Sequence, residues 1–112
     1  MPKINFKATS EFSVSFKKLR KKYRSLDTDV AAVRDELSQG LKLGIDLGGG
    51  FRKIRMSITS KNKGKSGGAR IIIHELVISV KETDILFVVI YDKSDTESIS
   101  TDSLKQIVKD YN

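Results

Sequence analysis

The chain contains no cysteine and no tryptophan, and only one proline and one histidine. Without cysteine there are no disulfides and no thiolate metal sites, and one imidazole cannot assemble a zinc centre alone. Apolar runs are short as well: nothing approaches the roughly 18 residues of a membrane span. The opening Met1-Pro2-Lys3-Ile4-Asn5-Phe6 lacks the apolar stretch of a signal peptide. Together these absences lead us to expect a soluble, cytoplasmic protein with no metal, no cofactor and no membrane partner. At 112 residues, a single domain spanning 1–112 can bury about two-thirds of the surface its unfolded form exposes.

The most telling absence is local. Residues 47–74 contain seven lysines and arginines and no carboxylate, inside a chain of net charge +7. The excess is uneven: residues 1–81 carry 18 basic and 7 acidic side chains, whereas residues 82–112 carry 3 and 7. A surface of this kind is suited to a polyanion, with RNA the leading candidate. Lys and Arg neutralise phosphates, and at a reacting phosphate they also stabilise the charge that develops in the transition state.

Periodicity supplies the elements. Residues 3–8 alternate weakly and predict a short strand. Ser10 stands as a helix N-cap, and Phe12, Phe16, Leu19, Tyr23 and Leu26 recur at helical spacing behind it. Asp27 can cap a second helix with Val30, Val33 and Leu37 on its apolar stripe, completing a helical hairpin. Gly40, Gly44 and Gly48-Gly49-Gly50 then punctuate a loop. From 51 to 59, basic or polar Lys53, Arg55 and Ser57 alternate with apolar Ile54, Met56 and Ile58, as in a half-buried strand. Segments 69–80 and 84–91 are rich in strand formers and predict an antiparallel hairpin. Ser100 opens a last helix with Leu104, Ile107, Val108 and Tyr111 on one face. The expected architecture is α+β, in the order β-α-α-β-β-β-α: a mostly antiparallel sheet with an N-terminal helical hairpin packed on it, a C-terminal helix, and helices largely to one side.

The string Gly64-Lys65-Ser66 invites a P-loop reading, which fails. Thr59 stands where the first glycine should be, and Ile71-Ile72-Ile73 predicts a strand where that motif requires a helix. The loop reads instead as a cationic hairpin connection in which Lys63 and Lys65 meet phosphate and glycines permit close backbone approach. Lys53, Arg55 and Arg70 border it. The first helix carries Lys17, Lys18, Arg20, Lys21, Lys22 and Arg24, which surround too much of it to address one ligand atom; Lys18 and Lys22 are assigned to general attraction of RNA. His74 is of the side-chain type suited to proton transfer near neutrality, although a lone histidine in an apolar strand is more often a packed one. Tyr91 can stack on a base, with Lys93 touching phosphate, or it can plug the sheet edge.

The residues Phe16-Lys17-Lys18-Leu19-Arg20-Lys21-Lys22-Tyr23, Lys53-Ile54-Arg55, Gly64-Lys65-Ser66-Gly67-Gly68-Ala69-Arg70 and Ile90-Tyr91-Asp92-Lys93-Ser94 together resemble the RelE/ParE toxin superfamily. Its HigB-like branch is the most similar, and the glycine-rich string is the most specific element. The resemblance covers nearly the whole chain and implies a RelE-like fold and a type II toxin neutralised by a cognate antitoxin. It also implies a metal-independent endoribonuclease that enters the ribosomal A site and cleaves messenger by 2′-hydroxyl attack. Lys53, Arg55, Arg70 and Lys93 match the family's catalytic basic residues; Lys63, Lys65, Tyr91, His74, Lys18 and Lys22 are the expected RNA-binding set. After Lys93 the chain departs from RelE, offering Ser94 and a serine-rich stretch where that family has a further arginine and then a tyrosine. The general acid and base are therefore open among Lys53, Lys93, His74 and Tyr91. Two other functions fit the same fold or charge: a ParE-like, non-nuclease toxin of DNA gyrase, and a non-catalytic RNA-binding module.

Overall fold

A computed structural model describes all residues except 1, 62, 63, 65, 66, 97 and 112. The elements run β1 (Lys3–Ala8), α1 (Ser10–Lys22), α2 (Leu26–Ser38), β2 (Ile45–Gly48), β3 (Phe51–Met56), a 3-10 turn (Thr59–Lys61), β4 (Ala69–Ser79), β5 (Glu82–Asp92) and α3 (Thr101–Tyr111). The strands form one five-stranded sheet in the order β1-β5-β4-β3-β2. Only the β1–β5 pairing is parallel. The α+β class and element order agree with the sequence expectation, with one addition. The glycine-punctuated segment, expected as a loop, contains the edge strand β2, which folds back on β3 through Gly49 and Gly50 at positive φ.

Helix boundaries shift by a residue or more, for identifiable reasons. Thr9, not Ser10, caps α1: its Oγ1 accepts from Phe12 N–H at 3.0 Å and donates to Val88 C=O at 2.6 Å. One hydroxyl thus satisfies a helix end and ties that end to β5, while Ser10 is exposed. The helix stops at Lys22, and Leu26 opens α2 instead of closing α1. Ser25 occupies the N-cap position and Asp27 lies in the first turn.

Strand alternation gives the sheet two buried faces. On one, Ile54, Met56, Ala69, Ile71, Ile73, Ile85, Phe87 and Ile90 pack with Phe12 of α1 and Leu26, Val33 and Leu37 of α2. On the other, Phe51, Ile72, Leu86, Val88, Val89 and Tyr91 pack with Leu104, and Ile107 and Val108 of α3 lie against them. The expectation of helices largely to one side is therefore corrected. A sheet whose β5 is apolar on both faces must be covered twice, and α3 supplies the second cover. Leu104 is fully buried, so Leu104→Ala should destabilise the protein by about 2 to 5 kcal/mol in chemical denaturation.

Candidate functional site

Register brings the basic residues together. Arg55 of β3 pairs with Arg70 of β4, and Arg70 pairs with Tyr91 of β5. Directly opposed residues project from the same face, so these three side chains form one row across the central strands, with Cβ atoms about 5 Å apart between neighbours. Lys53 stands in the next row, opposite Ile72. The row lies on the α3 face. The cluster is thus bounded by the apolar patch around Leu104 on one side and by the glycine-rich connection that leads into β4 on the other.

Burial grades the row. Arg70 is 5 % exposed and Tyr91 7 %, whereas Arg55 is exposed and Lys53 half-buried. Arg70 Nη1 donates to Ala69 C=O at 3.1 Å. Burial, and then the charge of Arg55, lowers the pKa of the Arg70 guanidinium, with Tyr91 acting in the opposite sense. An arginine so perturbed remains protonated. Burial pushes the Tyr91 phenol up, partly countered by Arg70. The Tyr91 hydroxyl is buried and has no hydrogen-bond partner among the described residues. Two like charges set opposite each other destabilise a sheet, and a buried hydroxyl without a partner costs about 1 to 3 kcal/mol.

Lys53, Arg55 and Lys93 form no ion pair among the described residues, where the four salt bridges all lie elsewhere. Lys93 is held at the site by its backbone, its N–H donating to Gly68 C=O at 3.0 Å. Gly68 is required sterically, because a Cβ there would collide with the carbonyl oxygen of Met56. The glycine therefore lets β3 and the loop close together, where the sequence suggested an approach to phosphate. Gly64, at φ 65°, supplies the left-handed turn.

A cluster that was not singled out from the sequence anchors the end of β5. Asp92, 2 % exposed, accepts from Tyr23 Oη at 2.7 Å, Lys61 Nζ at 2.8 Å and Ser94 N–H at 2.9 Å. Burial alone would raise its pKa, but the bonds from Lys61, Tyr23 and Ser94 and the charge of Lys61 outweigh it and hold the carboxyl at about 2, against an ordinary 3.8. The same bond raises Lys61. Because the folded pKa is depressed, this contribution is complete above about pH 4 and is lost as pH falls towards 2, about 2 kcal/mol in all. Acid titration of stability should show that loss, and Asp92→Asn should remove this part of the pH dependence. The only hint in the sequence was the contiguity of Tyr91, Asp92 and Lys93. On the α2 side, Asp29 accepts from Thr59 N–H at 2.9 Å, Thr59 Oγ1 at 2.6 Å and Ser25 Oγ at 2.8 Å, fixing the turn that follows β3.

The other expected RNA-binding residues are dispersed. His74 shares the face of Arg70 but lies four residues along the strand, roughly 13 Å away. One ring nitrogen sits 3.1 Å from Gly49 C=O and the ring packs edge-on against Phe51. Lys18 and Lys22 lie on α1, across the sheet from the row; Lys22 Nζ sits 5.3 Å from the centre of the Tyr23 ring. Of the two readings of Tyr91, an open stacking ring or a plug in the sheet, its burial within the apolar cluster on the α3 face agrees with the plug. Lys63 and Lys65 lie outside the described residues. Among the described residues no three of His, Asp and Glu converge as metal ligands, and no helix is long and apolar enough to cross a membrane.

The cross-strand row, the glycine connection ahead of β4 and the helix behind them fall within residues 12–111, which match the family model of the RelE toxin of RelE / RelB toxin-antitoxin systems. This chain belongs to the RelE toxin family. It is the toxin component of a type II toxin-antitoxin system, and its partner is a cognate antitoxin. In this RelE-family toxin, every residue of the Arg55, Arg70 and Tyr91 row comes from the three central strands, so that the two helical layers hold its spacing from both sides.

Proposed function

We propose that this toxin is a HigB-like, ribosome-dependent endoribonuclease that cleaves messenger in the A site without a metal ion. The observation that carries the reading is the Arg55, Arg70 and Tyr91 row with Lys53 beside it: cations fixed by strand register and a buried donor, assembled on one face of the sheet. A messenger phosphate seated there receives positive charge from Arg55 and Arg70 and a hydrogen bond from Tyr91. The neighbouring 2′-hydroxyl loses its proton to a base as its oxygen bonds to phosphorus. The bond from phosphorus to the 5′-oxygen breaks, and that oxygen takes up a proton. A 2′,3′-cyclic phosphate and a 5′-hydroxyl result. The extra negative charge on the phosphoryl oxygens in the transition state is what two preorganised guanidiniums stabilise. Lys53, Lys93 and Tyr91 are the proton-transfer candidates by proximity; His74 stands too far along the strand to serve the same phosphate.

The test is to express the toxin and map messenger ends. Cuts inside translated codons, lost when ribosomes are kept off the message, support this function. Gyrase-dependent DNA damage without messenger cleavage would assign the chain to the ParE-like activity. The antitoxin is proposed to cover the basic row, so its affinity should fall with added salt where charges meet, leaving an apolar remainder. Titration calorimetry across ionic strength reads that directly.

A further inference from the structure

Asp92 stands beside the Arg55, Arg70 and Tyr91 row but on the opposite face of the sheet, because it follows Tyr91 directly in β5 and successive strand residues alternate. Three parts of the chain meet at its carboxylate. Oδ2 accepts from Tyr23, at the C-terminal end of α1, and Oδ1 accepts from Lys61, the last residue of the turn that follows β3. Oδ1 also accepts from the N–H of Ser94 at 2.9 Å. That last bond closes a ring around a single residue, Lys93, and restricts its backbone. Further bonds brace the ring. Lys93 N–H donates to Gly68 C=O at 3.0 Å, Asp95 and Thr96 N–H both donate to Asp92 C=O at 3.0 Å, and Lys61 Nζ lies 2.6 Å from Ser94 Oγ. The bond to Gly68 carries the β4–β5 ladder one residue past the Ala69 and Asp92 pair. Alternation then returns Lys93 to the face of Tyr91, roughly 7 Å farther along the chain.

We propose that Asp92, its carboxylate held by Tyr23 and Lys61, is the positioning residue for Lys93 in messenger cleavage. The inference rests on the nuclease reading above. A lysine ammonium rides on a flexible four-carbon stem, so its reach is defined only if the backbone that carries it is fixed. Arg70 and Tyr91 have that from their own pairing across β4 and β5. Lys93 lies past the last residue of β5, where the turn is set by the side chain of Asp92. Loss of the Asp92 bonds should therefore displace Lys93 and leave the row in register. Asp92 itself faces away from the row and touches no substrate seated there. Tyr23 acts from still farther away, through a helix on the other side of the sheet.

The test is kcat and KM for cleavage of messenger on programmed ribosomes. Asp92→Ala should lower kcat on the order of 10- to 100-fold with little change in KM, since a misplacement of about 1 Å can cost that much. Asp92→Asn should recover most of the loss: its Oδ1 still accepts from Ser94 and Lys61, and its amide donates to Tyr23 Oη. Tyr23→Phe removes one bond and keeps the ring, so it supplies a folded variant if Asp92→Ala is too unstable; its kcat should fall about threefold to tenfold. A double-mutant cycle separates positioning from general damage. With Lys93→Ala already present, adding Asp92→Ala or Tyr23→Phe should cost no further cleavage, whereas independent effects would multiply. Multiplied losses in folded proteins, Asp92→Asn as slow as Asp92→Ala, or a folded Asp92→Ala that cleaves as wild type does would each overturn the positioning role. A wild type that leaves translated messenger uncut instead overturns the nuclease reading, and with it the reaction that Asp92 serves.

Discussion

Arg70→Met should lower messenger cleavage on the order of 100-fold or more, about 2.7 kcal/mol of transition-state stabilisation, while the protein stays folded. Arg70 is the most buried cation of the row, and it stands between Arg55 and Tyr91 in register. Its charge is thereby fixed in position before any substrate arrives, and preorganisation of that kind is what makes a donor effective in a transition state. Methionine keeps an aliphatic stem of similar length in the space between Arg55 and Tyr91. Arg70→Lys separates two roles, because a lysine restores charge but not the planar fork that can bond two phosphoryl oxygens. It should recover only part of the activity. Equal growth arrest by folded Arg70→Met and wild type would exclude the row as the reacting centre.

The double substitution Lys53→Ala and Arg55→Ala should abolish detectable cleavage and leave stability unchanged or slightly raised. Arg55 opposes Arg70 across the β3–β4 ladder, and relieving a directly opposed like-charge pair favours the fold. Activity and stability are therefore expected to move in opposite directions, which general damage to the protein would not produce. The residue between them behaves in the reverse way. Ile54 is 3 % exposed and packs in the α1 and α2 core, so Ile54→Asp places an unpaired carboxylate there and should unfold the protein. Circular dichroism, thermal melts and cleavage of translated messenger, measured on both variants, distinguish the outcomes. A double variant that cleaves normally, or a fully folded Ile54→Asp, contradicts these roles for the two faces of β3.

The two-residue spacing of Lys53 and Arg55 was legible because strand alternation is a local property: any register preserves which side chains share a face. The apolar stripes of α1, α2 and α3 were largely legible on the same ground, the helical period being carried within each segment, although Leu26 opens α2 and Tyr111 of α3 is exposed. The strand β2 was not, since its four residues, Ile45–Gly48, have no pattern of their own and become a strand only by pairing with β3. The choice of Thr9 over Ser10 as cap likewise depended on which hydroxyl could also reach Val88, a residue distant in sequence.

By itself, the sequence determined the types of the longer elements, the α+β class and the acid-free basic stretch, all of which arise from neighbours a few residues apart. Tertiary structure alone decided that Arg55, Arg70 and Tyr91 stand in one row. It also decided that Tyr91 is buried with a hydroxyl that no described residue bonds, that Asp92 is held by Tyr23 and Lys61, and that α3 covers the face opposite α1 and α2. Each of these depends on register between strands, which is set by the turns at Gly49-Gly50 and Val80-Lys81, by the shift between Ile72 and Ile73 against β5, and by two cores that must be filled together. Those are long-range constraints, and a one-residue change in any of them would turn a whole strand over.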